Sequence, residues 1–123
     1  MANQGFPAAK RILNSKDFDA VFKNNQYRVS TPEFLFLARG NHLEDKRLGM
    51  VVSKRITSLA VDRNRLKRSI REAFRKTEII PLDIVVLTRT RVNLLKNSEL
   101  IEILTRSFLS LSNQSAANGK SVT

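Results

Sequence analysis

The stretch "DRNRLKRSIREAFRK", residues 62–76, contains the side chains of this sequence best suited to binding a polyanion. Its apolar residues recur at helical spacing and predict one stripe that faces a protein core: Leu66, Ile70, Ala73 and Phe74. Basic residues form a second stripe at strict intervals of four: Arg63, Lys67, Arg71 and Arg75. A third stripe on the other flank consists of Arg65, Arg68 and Glu72. Like charges four residues apart destabilise an isolated helix by about 0.2–0.5 kcal/mol per pair, so we expect a partner to supply the counter-charge.

The positive charge of the chain is concentrated around this stretch. Residues 46–76 hold eleven basic side chains against two acidic ones, a local excess of nine within a net charge of +11. A solvated helix face normally mixes both signs, so this excess favours a polyanionic partner, nucleic acid first and an anionic membrane surface second. Arginine, which dominates the stretch, suits bidentate contacts with phosphate. Asn64 has no helical or core role between two arginines, and its amide is suited to a base edge or a phosphate contact.

The composition excludes several other classes of function. The 123 residues suffice for one domain with a modest core. No apolar run approaches the ~20 residues that a membrane-spanning helix needs, and the first residues lack the apolar region of a secretory signal. Because the chain has no cysteine, disulfides and thiol chemistry are excluded, and we expect a cytoplasmic protein. The single histidine, His42, is expected to be a solvated loop residue rather than a metal ligand.

The N-terminal half is predicted to contain one helix and two or three strands. Residues 1–11 are expected to form an extended arm, because Gly5 and Pro7 oppose regular structure. A short helix is predicted to follow, with Ser15 as its N-cap. Alternating apolar residues predict a strand at residues 34–39, and a second apolar run lies within residues 47–55. We expect these two strands to form an antiparallel pair, with an additional short strand near residues 27–30.

The C-terminal half is predicted to be helix, strand and helix. The basic helix is expected to begin near Ser58 or Asp62, either of which is a suitable N-cap. Residues 82–89 form a continuous apolar run of strand length, which predicts a strand buried on both faces. A last amphipathic helix is predicted to start at Asn97 or Ser98 and to present one apolar face.

These elements predict one domain over residues 1–111, followed by a polar and disordered tail at residues 112–123. The order is α–β–β–α–β–α, with the additional short strand as a further β element. Because strands and helices mix without strict alternation, the predicted class is α+β, with helices packed on a small mixed sheet.

The basic helix and its neighbours also carry a family resemblance. The segment "RNRLKRSIREAFR", preceded by "RLGMVVSKR" and followed by "LDIVVLTR", resembles the protein subunit of bacterial ribonuclease P, and the similarity extends over residues 10–111. The resemblance implies an α/β sandwich of the ribosomal protein S5 domain 2-like type, with a left-handed β–α–β crossover that departs from the usual hand.

The resemblance also implies a function, that of the protein component of an endoribonuclease. Ribonuclease P removes the 5′ leader of precursor tRNA, and its RNA subunit carries the catalysis. The protein would bind that RNA in a ratio of one to one, together with the single-stranded leader. Mg²⁺ would be held mainly by the RNA subunit and the substrate, and no membrane or obligate protein partner is expected. No catalytic or metal-binding residue is expected in the protein.

The resemblance assigns two groups of site residues. The RNA-binding group, which matches the basic motif of the family, consists of Lys54, Arg55, Arg63, Asn64, Arg65, Lys67, Arg68 and Arg71. The group expected in the leader cleft consists of Phe18, Phe22, Leu37, Val51 and Ser53. Aromatic rings stack unpaired bases at about 1–3 kcal/mol each, although Phe18 and Phe22 as plain core residues remain the alternative. Leu37 and Val51 stand where some relatives have an aromatic and a polar residue, so the leader contact is expected to be more apolar and less base-specific.

Two other functions compete with this one. A structural RNA-binding protein of ribosomal type would share the charge and fold class but would lack the leader cleft. A protein-only nuclease would need clustered carboxylates or a pair of histidines, whereas the acidic residues Asp17, Asp62, Asp83 and Glu99 are scattered along the sequence.

The concentrated charge predicts that RNA binding depends strongly on salt. If ~5 phosphates are neutralised, a plot of the logarithm of the binding constant against the logarithm of the salt concentration should have a slope of roughly −3.5 for single strands to −4.5 for a duplex. Binding of RNA to the purified chain, measured at several salt concentrations, checks this value, and a slope near zero would contradict the electrostatic interpretation.

Overall fold

A computed structural model describes residues 12–122, with side chains described up to residue 117, so the predicted arm at residues 1–11 lies outside the described part. Three α-helices, four strands and a short 3₁₀ helix follow one another in the order α1 (Ser15–Lys23), β1 (Tyr27–Ser30), β2 (Phe34–Gly40), β3 (Arg47–Val51), α2 (Ala60–Lys76), β4 (Leu82–Thr88), the 3₁₀ helix (Thr90–Leu94) and α3 (Asn97–Val122). This is the predicted α+β class, and the additional strand at residues 27–30 is confirmed. No described helix is long and apolar enough to cross a membrane.

The four strands form one mixed sheet in the order β1-β2-β4-β3. The predicted pairing of the second and third strands is wrong, because β4 lies between them, antiparallel to β2 and parallel to β3. The physical reason is burial: β4 is apolar almost throughout, so the central position, with a neighbour on each side, removes most of it from water. β3 consequently lies at an outer edge of the sheet, joined to its parallel neighbour through α2.

α2 and α3 cover one face of the sheet and form the main core with it. All four residues of the predicted core stripe of α2 are buried. Phe108 of α3 lies at the centre, with its ring centroid 5.6 Å from that of Phe36 in β2 and 5.7 Å from that of Phe74 in α2. Phe34 and Phe36 of β2 both belong to this core.

The helix ends differ from the sequence predictions. The N-cap of α1 is Asn14 rather than Ser15, since the Asn14 side chain accepts a hydrogen bond of 2.8 Å from the Asp17 amide. α2 begins after Leu59, so neither Ser58 nor Asp62 is its N-cap.

The segment predicted as a disordered tail continues α3, which extends to Val122. Leu111 and Ser112 are both buried, and the Ser112 hydroxyl accepts a hydrogen bond of 3.1 Å from the Ile80 amide. The following residues include two alanines and no proline, so the helix that starts on the sheet has no strong breaker to end it.

α1 covers the opposite face of the sheet. Val21 is fully buried there with Leu37 of β2 and Val85 of β4. Phe18 lies against the backbone of β3 at Gly49, where a Cβ atom would come within 2.7 Å of the Phe18 ring atom Cδ2. The glycine therefore allows the aromatic ring to rest directly on the strand.

A partly buried cluster of ionic side chains connects α1 to the two parallel strands. Arg47 of β3 donates to both carboxylate oxygens of Asp83 in β4, at 2.9 and 2.8 Å, and forms an ion pair of 2.9 Å with Asp17 of α1. The Asn41 amide donates a further hydrogen bond of 2.9 Å to Asp83. Hydrogen bonding to Asp83 raises the pKa of Arg47 above its ordinary value, so the guanidinium remains charged.

Replacing Arg47 by methionine should strongly destabilise the fold. Asp83 is only 5% exposed and would be left without its charged partner, a loss of about 3–5 kcal/mol in the free energy of unfolding. Asp17→Asn is the matched control: its carboxylate is one-third exposed, so removing its charge should cost about 1 kcal/mol or less. Urea denaturation of both variants measures the difference, and equal losses would contradict the role given to the buried pair.

Replacing Gly49 by alanine should move Phe18 off the strand. Overpacking of this kind costs about 1–3 kcal/mol, and the cost should largely vanish when Phe18→Ala is already present. A double-mutant cycle on unfolding free energies should therefore give a coupling of about 1 kcal/mol or more. Additive effects would mean that the ring does not rest on Gly49.

Candidate RNA interface

Most of the predicted RNA-binding side chains are directed away from the protein. Six of the eight make no hydrogen bond or ion pair with another described residue: Lys54, Arg55, Asn64, Lys67, Arg68 and Arg71. Lys67 is half-buried, and the other five are exposed. These side chains are free to bind phosphate or a base without breaking a contact within the fold.

Arg63 and Arg65 have structural contacts as well. One nitrogen of Arg63 donates to the carbonyl oxygens of Thr57 and Ser58, at 3.1 and 2.7 Å, and braces the loop before α2. Arg65 donates to the side chain of Asn97 at 2.6 Å and connects α2 to the start of α3. Each guanidinium retains further N–H groups for a ligand.

Other basic residues of the same region serve the fold itself. The Lys46 ammonium donates to the carbonyl oxygens of Phe74 and Thr77 at the end of α2 and lies 4.7 Å from the centroid of the Phe74 ring. Glu72 accepts ion pairs from Arg75 and Lys76, and these hydrogen bonds lower the pKa of the Glu72 carboxyl. The charge available to a partner is therefore smaller than the sequence excess of nine suggests.

The basic stripe of α2 and the first aromatic residue of α1 border the same groove. The groove crosses the outer edge of β3 and has a volume of about 540 Å³. Three cations line one side: Lys67, Arg71 and Arg75. Apolar groups line the rest: Ile12, Leu13, Phe18, Leu48, Gly49, Met50 and Phe74. We call it the α1–α2 groove; a basic wall beside an apolar floor suits a chain of phosphates that carries flat bases.

The residues predicted in the leader cleft differ in how accessible they are to a ligand. Phe22 is 39% exposed, and its ring centroid lies 5.2 Å from that of Phe18. Leu37 is on the predicted face but lies beneath α1 and is only 5% exposed, so a ligand cannot reach it without moving the helix. Leu35, two residues earlier on the same face, is partly exposed. Val51, also partly exposed, lies on this face through the register of β3 with β4.

The hydroxyl of Ser53 belongs to the turn after β3. It accepts hydrogen bonds from the amides of Arg55 and Ile56, at 3.2 and 3.3 Å. Its role is therefore to shape the turn that presents Lys54 and Arg55.

Two arginines near this turn were missed by the sequence analysis. Arg89 and Arg91 follow the end of β4, which lies beside the end of β3 because the two strands are parallel neighbours. The Ser53 amide, just after β3, donates a hydrogen bond of 3.2 Å to the hydroxyl of Thr88, the last residue of β4. Arg89 donates to the Ser30 hydroxyl at 2.7 Å, whereas Arg91 is exposed. The signal was the short run "LTRTR", which gains meaning only once β3 and β4 are known to be neighbours.

Acidic residues do not assemble into a site in the described part of the chain. Among residues 12–117, no group of three or more His, Asp or Glu side chains has the arrangement of a metal site. Asp17 and Asp83, although distant in sequence, do meet, but both bind Arg47.

Comparison with known proteins gives the family. The family model described as Ribonuclease P matches residues 6–112. The ribonuclease P protein component of Ectopseudomonas mendocina is 41% identical over 104 residues, which cover 83% of this chain and 78% of that protein. That of Chromohalobacter salexigens is 44% identical over 102 residues, covering 81% and 80%. The structure of the Staphylococcus aureus RNase P protein, 27% identical, superposes with a TM-score of 0.70 over 85% of this chain and 94% of that one. The chain therefore belongs to the ribonuclease P protein component family and has the role of the protein subunit in tRNA 5′ processing.

Proposed function

We propose that the α1–α2 groove binds the single-stranded 5′ leader of precursor tRNA. The observation that carries this proposal is that Phe18 lines the same groove as Lys67 and Arg71. Leader bases would stack on the paired rings of Phe18 and Phe22, while the two cations bind the leader phosphates. Stacking and charge together give affinity with little base preference, which suits leaders of varied sequence.

The opposite flank of α2 and the turn after β3 are proposed to bind the RNA subunit. Arg65 lies on the flank of α2 away from the groove, whereas Asn64 and Arg68 are exposed on the outer face between the two flanks, as their helical positions require. Lys54 and Arg55 extend this surface beyond the end of β3. The division assigns one flank of α2 to each RNA, so a single helix holds the leader against the RNA subunit.

The chemistry of leader removal is proposed to reside in the RNA subunit. The cations of the protein would reduce the repulsion between the phosphates of the RNA subunit and those of the leader, so that both are held close together. Mg²⁺ would then be coordinated mainly by RNA and substrate oxygens. One protein per RNA subunit, acting in the cytoplasm without an obligate protein partner, is sufficient for this arrangement.

A structural RNA-binding protein of ribosomal type is the second candidate. It would explain the charge and the fold class. It gives no reason for Phe18, whose ring pairs with the exposed Phe22, to line a groove with a basic wall, and this feature favours the leader-binding function.

Replacing Phe22 by alanine should weaken binding of precursor tRNA to the reconstituted complex by about tenfold, because one stacking contact is lost. Affinity for mature tRNA, which has no leader, should remain unchanged. Phe22 is preferred to Phe18 for this test, since Phe18 also packs on Gly49. Equilibrium binding of both RNAs measures the difference.

A double variant of two groove cations, with a matched control elsewhere on the protein, tests the contribution of charge to leader binding. Lys67→Ala with Arg71→Ala should reduce precursor affinity selectively, whereas Arg106→Ala, on α3 beside β1 at the other edge of the sheet, should have little effect. If the groove variants weaken precursor and mature tRNA equally, the leader function fails and the ribosomal type of binding is favoured.

A further inference from the structure

The three most exposed of the large apolar side chains in residues 12–117 lie in two short segments. Val61 is 70% exposed and Leu59 is 62% exposed, at the start of α2. Leu94, at the end of the 3₁₀ helix, is 71% exposed. Single exposed apolar side chains are ordinary on a protein surface, whereas several close together indicate a binding surface.

Hydrogen bonds hold these two segments side by side. On the N-terminal side of these residues, the Asn93 side chain accepts a hydrogen bond from the Thr57 hydroxyl and donates one to the Ile56 carbonyl oxygen, both at 2.6 Å. On their C-terminal side, Arg65 donates a hydrogen bond of 2.6 Å to the side chain of Asn97. Residues 59–61 and Leu94 lie between these two connections, so the two segments are neighbours at the surface. We call their three exposed side chains the apolar patch.

Leu59 occupies a position where a different residue would stabilise the helix. It is the N-cap of α2, with extended φ and ψ of −82° and 130°, and it makes no capping hydrogen bond through its side chain. Serine, threonine, aspartate and asparagine are strongly preferred at this position because their side chains accept from the first amides of the helix. The chain presents an exposed leucine there instead.

The surroundings of the patch are rich in positive charge. Arg91 lies three residues before Leu94, and Arg65 lies one helical turn after Val61. Arg55 precedes Leu59 in the loop, and Arg68 lies on the outer face of α2. Asp62 and Glu99 are the acidic residues nearest in sequence, and Glu99 accepts a hydrogen bond of 2.8 Å from the Lys96 amide.

These features favour an RNA base over a lipid or a protein. Membrane-surface helices bury an apolar face along their length, and three side chains at one helix end do not supply it. A specific protein interface buries roughly 1,000 Å² or more around a centre depleted of charge, whereas arginines occur in both chain segments that carry this patch. Unstacked bases in non-helical RNA offer a flat apolar face flanked by phosphates.

We propose that the patch formed by Leu59, Val61 and Leu94 receives an unpaired base of the RNA subunit. The phosphates on either side of that base bind Arg55, Arg68 and Arg91. This inference rests on the proposed function and adds to it an apolar contact, which sets where the RNA subunit docks.

The salt dependence of binding distinguishes this apolar contact from an electrostatic one. The double variant Leu59→Ser with Leu94→Ser should bind the RNA subunit about tenfold more weakly, as expected if each leucine is about half buried in the complex. Because no phosphate contact is lost, the slope of log K against log salt should not change. Arg68→Ala should instead make the slope shallower by roughly 0.7–0.9.

Folding controls accompany the binding measurements. Leu59→Ser should raise the melting temperature by about 2–5 °C, because serine caps α2, even as RNA affinity falls. Leu43→Ser is the matched control: Leu43 is 50% exposed in the loop before β3, at the opposite end of that strand from the patch, and the variant should bind RNA normally.

Several results would overturn the proposal. Unchanged affinity of the double variant, a shallower slope in that variant, or an equal loss in Leu43→Ser would each do so. Binding of the wild-type chain to anionic vesicles that is lost in the double variant, with RNA affinity intact, would assign the patch to a lipid surface. A wild-type chain that fails to bind the RNA subunit would contradict the proposed function itself.

Discussion

The placement of α1 depends on a single arginine whose side chain is mostly, but not fully, buried. Arg47 binds Asp83 in the neighbouring strand through two hydrogen bonds and reaches Asp17 in α1 with the same guanidinium. A carboxylate as buried as that of Asp83 is tolerated only when a charged partner satisfies it. Two residues along β3, Gly49 lets Phe18 approach the strand. The ion cluster and the glycine both act at β3, whose residues Leu48, Gly49 and Met50 line the groove between Phe18 and the basic wall of α2.

Positive charge in this chain therefore has two separate uses. Lys46, Arg47 and Arg63 bind carbonyl or carboxylate oxygens of the protein itself, whereas Arg68 and Arg71 project outward. The sequence shows all of them alike, because a lysine or arginine that caps a helix has the same local pattern as one that binds RNA. Only tertiary contacts distinguish them, and these contacts come from residues far away in the sequence.

Strong local patterns were sufficient for much of the fold. The core stripe of α2 and the buried strand β4 follow directly from the spacing and continuity of their apolar residues. Strand pairing could not be predicted, because the position of β4 between β2 and β3 depends on burial of the whole sheet. For the same reason, residue spacing could not predict that Phe18 and Lys67 line one groove. They are 49 positions apart in the sequence and come together only across the edge of β3. Leu37 was assigned to the right face, but its cover by α1 is a tertiary effect.

The most direct test of the account is reconstitution of leader removal at low Mg²⁺. Precursor tRNA would be incubated with the RNA subunit alone, with the protein alone, and with both, and cleavage at the mature 5′ end would be followed with time. We expect efficient cleavage only when both are present, as required if the protein holds the leader and the RNA subunit supplies the chemistry. Cleavage by the protein alone, or no acceleration when the protein is added to the RNA subunit, would contradict it.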